Sequence, residues 1–465
     1  MGFRDLLKSI GRPDPDLLRS IYSMSWPQLC TLMTQFVIGF TDIWSAGQIG
    51  TDTQASVGLI TQCQVMLMVV CWATNSGAVA AVSQSLGAGK ILRAQRFVSA
   101  VLWFVISSGL CLTVAGLVLH EHILHWLGTP ETMMGPAGVF LLASLCSLPG
   151  FYAMAVCTAL LRSAKSVMPA LYTGIAVCLF NMVGDLGFGL GWFGFPKYGT
   201  AGLAWSTTVS VSFGGAVLFA SLRASGLWNT SVRTPWCWVR HAMKYLLKVS
   251  VPAAVTSLLW NSAYLVIFMI VAALPVHPAA ALAGMTAGLR IESLLFMPAN
   301  AGNMTASVLV GHALGQGSQK RAMQVALCIL LFLCAAMSCL GVVFWFLRDF
   351  FAVLMSSDPD TQAAIVSYLT YNILAVPFTV GTVVLSGVFA GAGATIYPMR
   401  SFIVSIWCIR VPMALVLGHW VLGYEGVFMS MLVSQFVQFC VLFWTLTHIK
   451  WYSHALRRGG EKDVL

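Results

Sequence analysis

Long apolar stretches recur along almost the whole chain, separated by short polar connections. Each stretch is continuous rather than alternating and can cross a hydrocarbon core of about 30 Å, which takes roughly 20 helical residues. In lipid, only helices and closed barrels satisfy their own backbone, and continuous apolar runs favour helices over barrel strands. The pattern predicts twelve transmembrane helices, at residues 24–46, 55–80, 97–119, 136–161, 168–192, 201–221, 248–274, 280–309, 323–347, 363–390, 397–420 and 424–447.

Composition supports an all-α integral membrane protein. Of the 465 residues, 58% are hydrophobic and only 9% are charged. The first residues, 1–20, carry basic side chains among acids and prolines, without the apolar core or small-residue cleavage site of a signal peptide. We expect this segment to be a tail with a short interfacial helix.

The net charge of +10 is explained by where the basic residues fall between the predicted spans. With the tail inside, nearly all loop bases lie on the cytoplasmic side, and the outer side holds only Lys197 and Arg348. The outer acids are Asp52, Glu121, Glu131, Asp349, Asp358, Asp360 and Glu425. The positive-inside rule then predicts cytoplasmic N- and C-termini in the cell membrane, a bacterial inner or archaeal plasma membrane. We expect no nucleic-acid partner.

Metal and cofactor chemistry is not indicated. Nearly all of the 13 cysteines lie inside predicted spans, and none forms a C-x-x-C pair, so we interpret them as small buried hydrophobes. The HEHILH stretch at 120–125 has metal-like spacing, but no carboxylate or cysteine cluster supports a site there. We predict neither a metal site nor a cofactor.

The two halves of the chain share landmarks in the same order. These are Pro27 and Pro252, the turns SLGAGKILRA (85–94) and ALGQGSQKRA (313–322), Pro169 and Pro398, and the motifs GTAGLAWSTTVS (199–210) and GYEGVFMSMLVS (423–434). Because six spans are an even number, the second copy enters the membrane in the same sense as the first. We predict two six-helix lobes around a central cleft, 1–222 and 248–465, as parallel repeats joined by a cytoplasmic linker, 223–247.

Three of the fifteen acids fall inside predicted spans: Asp42, Asp185 and Glu292. Acids in that environment are costly, face a cavity or a partner, and usually serve function. Asn181 and Asp185 are four residues apart and share one helix face. If Asp42 meets that face, a proton or a sodium ion would relieve the repulsion between the two carboxylates. For Glu292, a structural ion pair with Arg290 is an alternative.

The sequence resembles the multidrug and toxic compound extrusion (MATE) family over nearly its whole length. The matching pieces are W-P-Q at 26–28, FTDIWSAGQIG at 40–50, the two L-G-x-G turns, N-x3-D at 181–185, G-x2-G-L-A-W-S-T at 199–207 and FAGAGATIYP at 389–398. The resemblance implies a multidrug efflux antiporter that works by alternating access in the lipid bilayer. It would exchange organic cations or other amphiphiles for H⁺ or Na⁺, and we expect a monomer.

The resemblance also implies the residues that bind the coupling cation. Family members build this site in the N-terminal lobe from an acid of the first span, the Asn and Asp of the fifth and a threonine of the sixth. The matching positions here are Asp42, Asn181, Asp185 and Thr207. A first-span proline whose helix bends in some members matches Pro27, the predicted conformational hinge.

The C-terminal lobe departs from one branch of the family. That branch has acids in the seventh and tenth spans, where this chain has Trp260 and Asn261, and Thr379. We therefore expect an acidic site in the N-terminal lobe alone, with Glu292 as an acid near the cleft.

Other classes of function remain open. A lipid-linked precursor flippase or a metabolite exporter of a related superfamily is the first alternative, although the predicted spans hold only Arg290 and Arg410 as bases apart from Lys248 and Arg400 at their cytoplasmic ends. A channel would not need the duplicated frame. An enzyme is not predicted, because no Ser-His-Asp order or metal frame is visible, and GAGK at 87–90 lacks the glycine and hydroxyl residue of a phosphate-binding loop.

Overall fold

The computed structural model describes residues 15–229 and 234–456. Over these residues the chain is all-α with twelve long helices, which confirms the predicted fold class. The first six are α1 (Pro15–Ile49), α2 (Thr51–Gly87), α3 (Ile91–Trp126), α4 (Glu131–Ser163), α5 (Met168–Gly189) and α6 (Thr200–Ala224). The others are α7 (Trp236–Ala272), α8 (Pro278–Gly315), α9 (Gln319–Met355), α10 (Pro359–Gly391), α11 (Ile396–Trp420) and α12 (Tyr424–His448).

Eleven of these helices, all but α1, are long and apolar enough to cross a membrane in the described part of the chain. The mean hydropathy of α1 is lower because the helix contains Ser, Thr and Gln side chains and two acids among its apolar residues. An interfacial helix was expected within residues 1–20. Residues 1–14 lie outside the described chain, and the residues from Pro15 onward belong to α1.

The helices are mostly longer than the predicted spans. The second span was expected at 55–80, whereas α2 runs from Thr51 to Gly87. Hydropathy detects only the apolar part of a helix, and the helical hydrogen bonds continue past it into polar sequence. The fifth span is the opposite case: it was expected to reach residue 192, but α5 ends at Gly189, and Gly191 turns the chain with φ of 83°.

Two helices contain a π-helical turn, a feature often found at functional sites. The turn in α5 covers Asp185–Gly189, and the turn in α11 covers Ile403–Arg410. These helices are the fifth and eleventh, which are equivalent in the repeat. Each π-helical turn includes a charged residue of its span, Asp185 in one and Arg410 in the other.

The two L-G-x-G segments form the tight turns expected from their sequence. Gly89 links α2 to α3, and Gly317 links α8 to α9. Their φ angles, 72° and 77°, lie in the left-handed region that favours glycine. The repeat is therefore visible in backbone conformation as well as in sequence.

Side-chain caps define where α9 and α10 begin. Ser318 accepts a hydrogen bond from the Arg321 amide, 3.2 Å away. Asp358 accepts from the Thr361 hydroxyl and amide, at 2.6 and 2.9 Å, and these bonds hold the pKa of the Asp358 carboxyl below its ordinary value. An ionised N-cap satisfies an otherwise unpaired helix donor, so this cap weakens only when strong acid protonates Asp358.

The described residues form two compact units. The N-terminal unit covers 26–229 and 234–250, and the C-terminal unit covers 15–25 and 251–456. The division falls inside α1 and inside α7, just before Pro27 and Pro252. The predicted lobe limits stay a prediction. In the predicted linker, 223–247, residues 230–233 lie outside the described chain, and the residues from Trp236 onward belong to α7.

Within the N-terminal unit, α5 and α6 approach closely because glycines line their contact. A Cβ at Gly184 would lie 2.0 Å from the Ser206 hydroxyl oxygen, and one at Gly202 would lie 2.2 Å from the Phe188 carbonyl oxygen. No side chain fits there, so the glycines permit the backbone contact that places α6 against the N-x3-D segment of α5.

We expect Gly202→Ala to destabilise the fold by about 1–3 kcal/mol, because the new methyl would overlap backbone atoms that cannot rotate away. Thermal unfolding of the purified protein in detergent measures this. Gly58→Ala is the matched control, since a Cβ at Gly58 in α2 meets nothing within 4 Å. Equal unfolding temperatures for the two variants would contradict the close contact.

Candidate cation-coupling site

The two carboxyl groups of the predicted site lie side by side in the N-terminal unit. Asp42, on α1, is half-buried, and its carboxyl comes close enough to Asp185 and to the Asn181 amide to interact with both. Asp185 is 0% exposed and Asn181 is 1% exposed. The structure therefore brings the first-span acid onto the N-x3-D face, as the sequence suggested.

The local conformation of α5 explains how Asp185 is presented. α-Helical geometry ends at Gly184, and Asp185 begins the π-helical turn. The next backbone bonds are the Leu190 amide to the Asp185 carbonyl, at 3.2 Å, and the Gly191 amide to the Gly187 carbonyl, at 2.8 Å. The glycine-rich sequence after Asp185 permits this turn, which ends the helix beside the site.

α6 supplies two hydroxyl groups. Asn181 Nδ2 donates to Thr207 Oγ1 at 3.0 Å, and Thr207 Oγ1 donates to its own helix at the Leu203 carbonyl, 3.2 Å away. Ser206 Oγ donates to the Asn181 carbonyl at 3.1 Å and also lies next to the Asp185 carboxyl. All four predicted residues are thus brought together, with Ser206 as a fifth member.

Ser206 was missed by reasoning from sequence. It stands beside Thr207 in the G-x2-G-x3-S motif, and that repeated motif was the available signal. Its approach to α5 depends on Gly184, whose missing side chain leaves the space for the serine hydroxyl. A serine in an apolar helix usually bonds to its own backbone, so sequence alone does not indicate a contact across helices.

Several acceptor oxygens of the site are unsatisfied. Asp42 Oδ1, Asn181 Oδ1 and both carboxylate oxygens of Asp185 are buried and accept no hydrogen bond from any residue in the described ranges. Neither acid forms an ion pair with a basic side chain there. Buried carboxylates without a counter-charge are costly. This oxygen-rich set suits a proton or a hard cation such as Na⁺.

Pro27 lies away from the acids on the same helix. It is buried inside α1, which continues through it, and the Thr31 hydroxyl donates to its carbonyl at 2.8 Å. Fifteen residues separate Pro27 from Asp42. Since proline has no N–H, α1 lacks one backbone hydrogen bond at this point.

Glu292 belongs to a different cluster, in the C-terminal unit. It is 9% exposed and accepts a hydrogen bond from the Tyr368 hydroxyl. The charged residue facing it is Arg410, whereas Arg290, which the sequence offered as a partner, is exposed. The alternative of an ion pair with Arg290 is not seen in the described structure, because residues two apart on a helix point to different sides.

The fold of this chain is similar to that of solved structures over nearly its whole length. The chain superposes on the Vibrio cholerae MATE transporter VcmN in the bent form with a TM-score of 0.85 at 17% sequence identity, covering 94% of this chain and 97% of that chain. Among curated proteins, the probable multidrug resistance protein NorM of Thermotoga maritima is 25% identical, covering 97% of both chains. The FAD transporter of Shewanella oneidensis is 24% identical, covering 90% of this chain and 91% of that protein.

The family model MatE matches residues 27–186 and 252–416, one segment in each half. The chain therefore belongs to the MatE family, the MATE transporters that the sequence resembles, and this confirms the resemblance. It is a multi-pass transporter of the cell membrane, in a family of multidrug efflux proteins that act on small molecules and do not form an enzyme class.

Replacing Thr207 tests how the site is held together. Thr207→Val removes the acceptor of the buried Asn181 amide, and we expect a loss of about 1–3 kcal/mol in the free energy of unfolding. The midpoint of thermal unfolding in detergent reports this loss. Thr61→Val is the control, because Thr61 also donates to its own helix, at the Val57 carbonyl, but is exposed. An equally small shift in both variants would mean that the Asn181–Thr207 bond contributes nothing.

Proposed function

We propose that this protein is a secondary active multidrug efflux antiporter that exports organic cations or amphiphiles in exchange for H⁺ or Na⁺ by alternating access. The observation that carries the proposal is the pair of acids, Asp42 and Asp185. They lie together among apolar helices with unsatisfied oxygens and no basic partner in the described chain.

The proposed coupling follows from electrostatics. Two ionised carboxylates in a medium of low dielectric constant repel each other and lose hydration, so the site favours an arrangement that opens them to water or to a cation. A proton on one carboxyl, or a sodium ion among the oxygens of Asp42, Asp185 and Asn181, removes the excess charge. A bound cation shifts the equilibrium between two conformations of the lobe only by the difference between its affinities for them.

α1 is the element through which this charge would act on the rest of the molecule. It carries Asp42, and it passes from the C-terminal unit to the N-terminal unit just before Pro27. The missing backbone bond at Pro27 lowers the cost of bending or repacking at that point. Neutralising Asp42 would remove the repulsion between its carboxylate and that of Asp185 and allow α1 to bend at Pro27. The bent helix would then displace substrate.

A metabolite exporter is the second candidate. It is favoured by the similarity to the FAD transporter of Shewanella oneidensis, which extends over 90% of this chain. A lipid-linked precursor flippase, the other alternative from the sequence, has no comparable relative among those described above. We further propose that both termini lie in the cytoplasm, since all but two of the loop bases lie on that side. We also propose that the protein acts as a monomer.

Transport by the reconstituted protein tests the coupling role. In liposomes with an imposed pH or sodium gradient, we expect Asp185→Asn and Asp42→Asn to slow gradient-driven movement of a fluorescent organic cation by about tenfold or more. Both variants lose the charge that the coupling cation cancels. The gradient that drives wild-type transport identifies the ion, and a flavin nucleotide in place of the dye tests the second candidate.

Asp349→Asn is the matched control, because this acid is 75% exposed and lies in the last two turns of α9. It should transport at the wild-type rate. If Asp185→Asn also kept the wild-type rate under both gradients, the coupling role of the acidic pair would have to be abandoned.

The hinge has its own test. We expect Pro27→Ala to slow export while cation binding, followed by quenching of intrinsic tryptophan fluorescence, stays near its wild-type affinity. The restored amide would close the gap in the helix and stiffen it. Pro252→Ala, at the equivalent position of the repeat in α7, is the comparison, since α7 carries no acid of the site. A similar slowing in both variants, or weaker cation binding, would argue against a hinge specific to α1.

A further inference from the structure

An open cavity of about 450 Å³ lies wholly within the C-terminal unit, between one face of α10 and the first turn of α12. The residues of α10 that line it are at positions 363, 366, 367, 370 and 371, the spacing of a single helix face. α12 contributes Tyr424 and Glu425. The cavity lies at the end of these helices that the proposed topology places outside the cell.

Two tyrosine rings form an ordered wall of this cavity. Tyr371 and Tyr424 both pack against the buried apolar cluster of the C-terminal unit. The Tyr424 ring lies 5.9 Å from the ring of Phe428, and Phe428 meets Tyr368 edge-on at 5.1 Å. These contacts hold the Tyr424 ring in position without a ligand.

Two polar groups of the cavity are available to a ligand. Glu425 is exposed, and its carboxylate forms no ion pair with a basic side chain of residues 15–229 or 234–456. Ser367 Oγ is buried and has no hydrogen-bond partner within the same ranges. An aromatic face and a carboxylate both attract positive charge, so the lining suits an organic cation.

The base beside the cavity is already occupied. Arg348 of α9 donates from Nη1 to Thr370 Oγ1 at 3.3 Å. Its guanidinium carbon lies 4.4 Å from the centroid of the Trp345 ring, and its Nε lies 4.0 Å from the Asp349 carboxylate. Arg348 does not line the cavity, whereas Glu425 does. The charge presented inside the cavity is therefore negative.

The internal repeat shows that the frame does not require these side chains. α4 and α10 each have 33 residues with an internal proline at the same position, and α6 and α12 each have 25 residues. Aligned in this way, the first half has neither a ring nor an acid where the cavity has its two tyrosines and its glutamate: the residues there are Ala143, Thr200 and Ala201. The cationic chemistry belongs to the C-terminal half alone.

We propose that this cavity binds organic cations, with Tyr371 and Tyr424 as the aromatic wall and Glu425 as the counter-charge. The inference deepens the proposed function, on which it rests for the export of such cations, by giving them a site at the outer end of the C-terminal unit. This site is separate from the acidic pair Asp42 and Asp185.

Protection from thiol labelling tests the site directly. Ala363 lines the cavity, and α10 contains no native cysteine, so labelling of Ala363→Cys by N-ethylmaleimide can be followed by mass spectrometry of its own peptide. We expect choline to slow this labelling in the purified protein, and 3,3-dimethylbutanol, its uncharged carbon analogue, to leave it unchanged. In the same background, Glu425→Gln and Tyr424→Leu should each raise the choline concentration for half-protection by about threefold or more.

Glu131→Gln is the matched control, because it removes an exposed acid from the first turn of α4. It should keep the wild-type half-protection concentration. Tyr424→Phe keeps the ring and should keep the affinity as well, which separates loss of the aromatic face from poor folding. Equal protection by the alcohol, or an unchanged affinity in Glu425→Gln, would overturn the proposal.

These readouts need no ion gradient, so the two proposals can fail separately. Absence of choline protection together with intact gradient-driven transport would reject this site alone. Choline protection together with wild-type transport in Asp185→Asn would support this site and reject the coupling role of the acidic pair.

Discussion

The central constraint on this protein is the cost of negative charge that is buried without a counter-charge. Asp42 and Asp185 lie together in the N-terminal unit, with acceptor oxygens that no described side chain satisfies. Most proteins avoid such a pair or place an arginine beside it. Here the neighbours are an amide and hydroxyls, which orient the site without cancelling its charge. A cation that visits the site therefore changes the energy of the whole unit, and this makes the pair suitable for coupling.

The close packing around the pair serves the same constraint. Gly184 and Gly202 bring α5 and α6 into backbone contact, and the π-helical turn that begins at Asp185 ends α5 beside the acids. A longer side chain at either glycine would move α6 and its hydroxyls away. The C-terminal unit uses the equivalent helices differently: Arg410, in the π-helical turn of α11, meets a hydroxyl of α12 and faces Glu292. The two halves share a frame, and their buried charges differ.

Much of this could be predicted from residues alone. An acid inside an apolar span is rare enough to stand out, and the i, i+4 spacing of Asn181 and Asp185 places them on one face. Ser206 could not be found this way, because a serine hydroxyl normally bonds within its own helix. The hydrogen-bond partner of Glu292 was also missed: Arg290 is near in sequence, but Tyr368 of α10 donates to the carboxyl group. Sequence proximity says little about which faces of separate helices meet.

The fold class, the twelve helices, the duplicated frame and the identity of the acids follow from the sequence, since long apolar runs and backbone satisfaction in lipid leave few alternatives. Only the folded structure shows that Asp42 meets Asp185, that Ser206 joins them, and that Tyr368 donates to Glu292. These contacts depend on how helices distant in the chain pack against each other. That packing is set by glycine contacts and π-helical turns, whose consequences appear only when the helices are assembled.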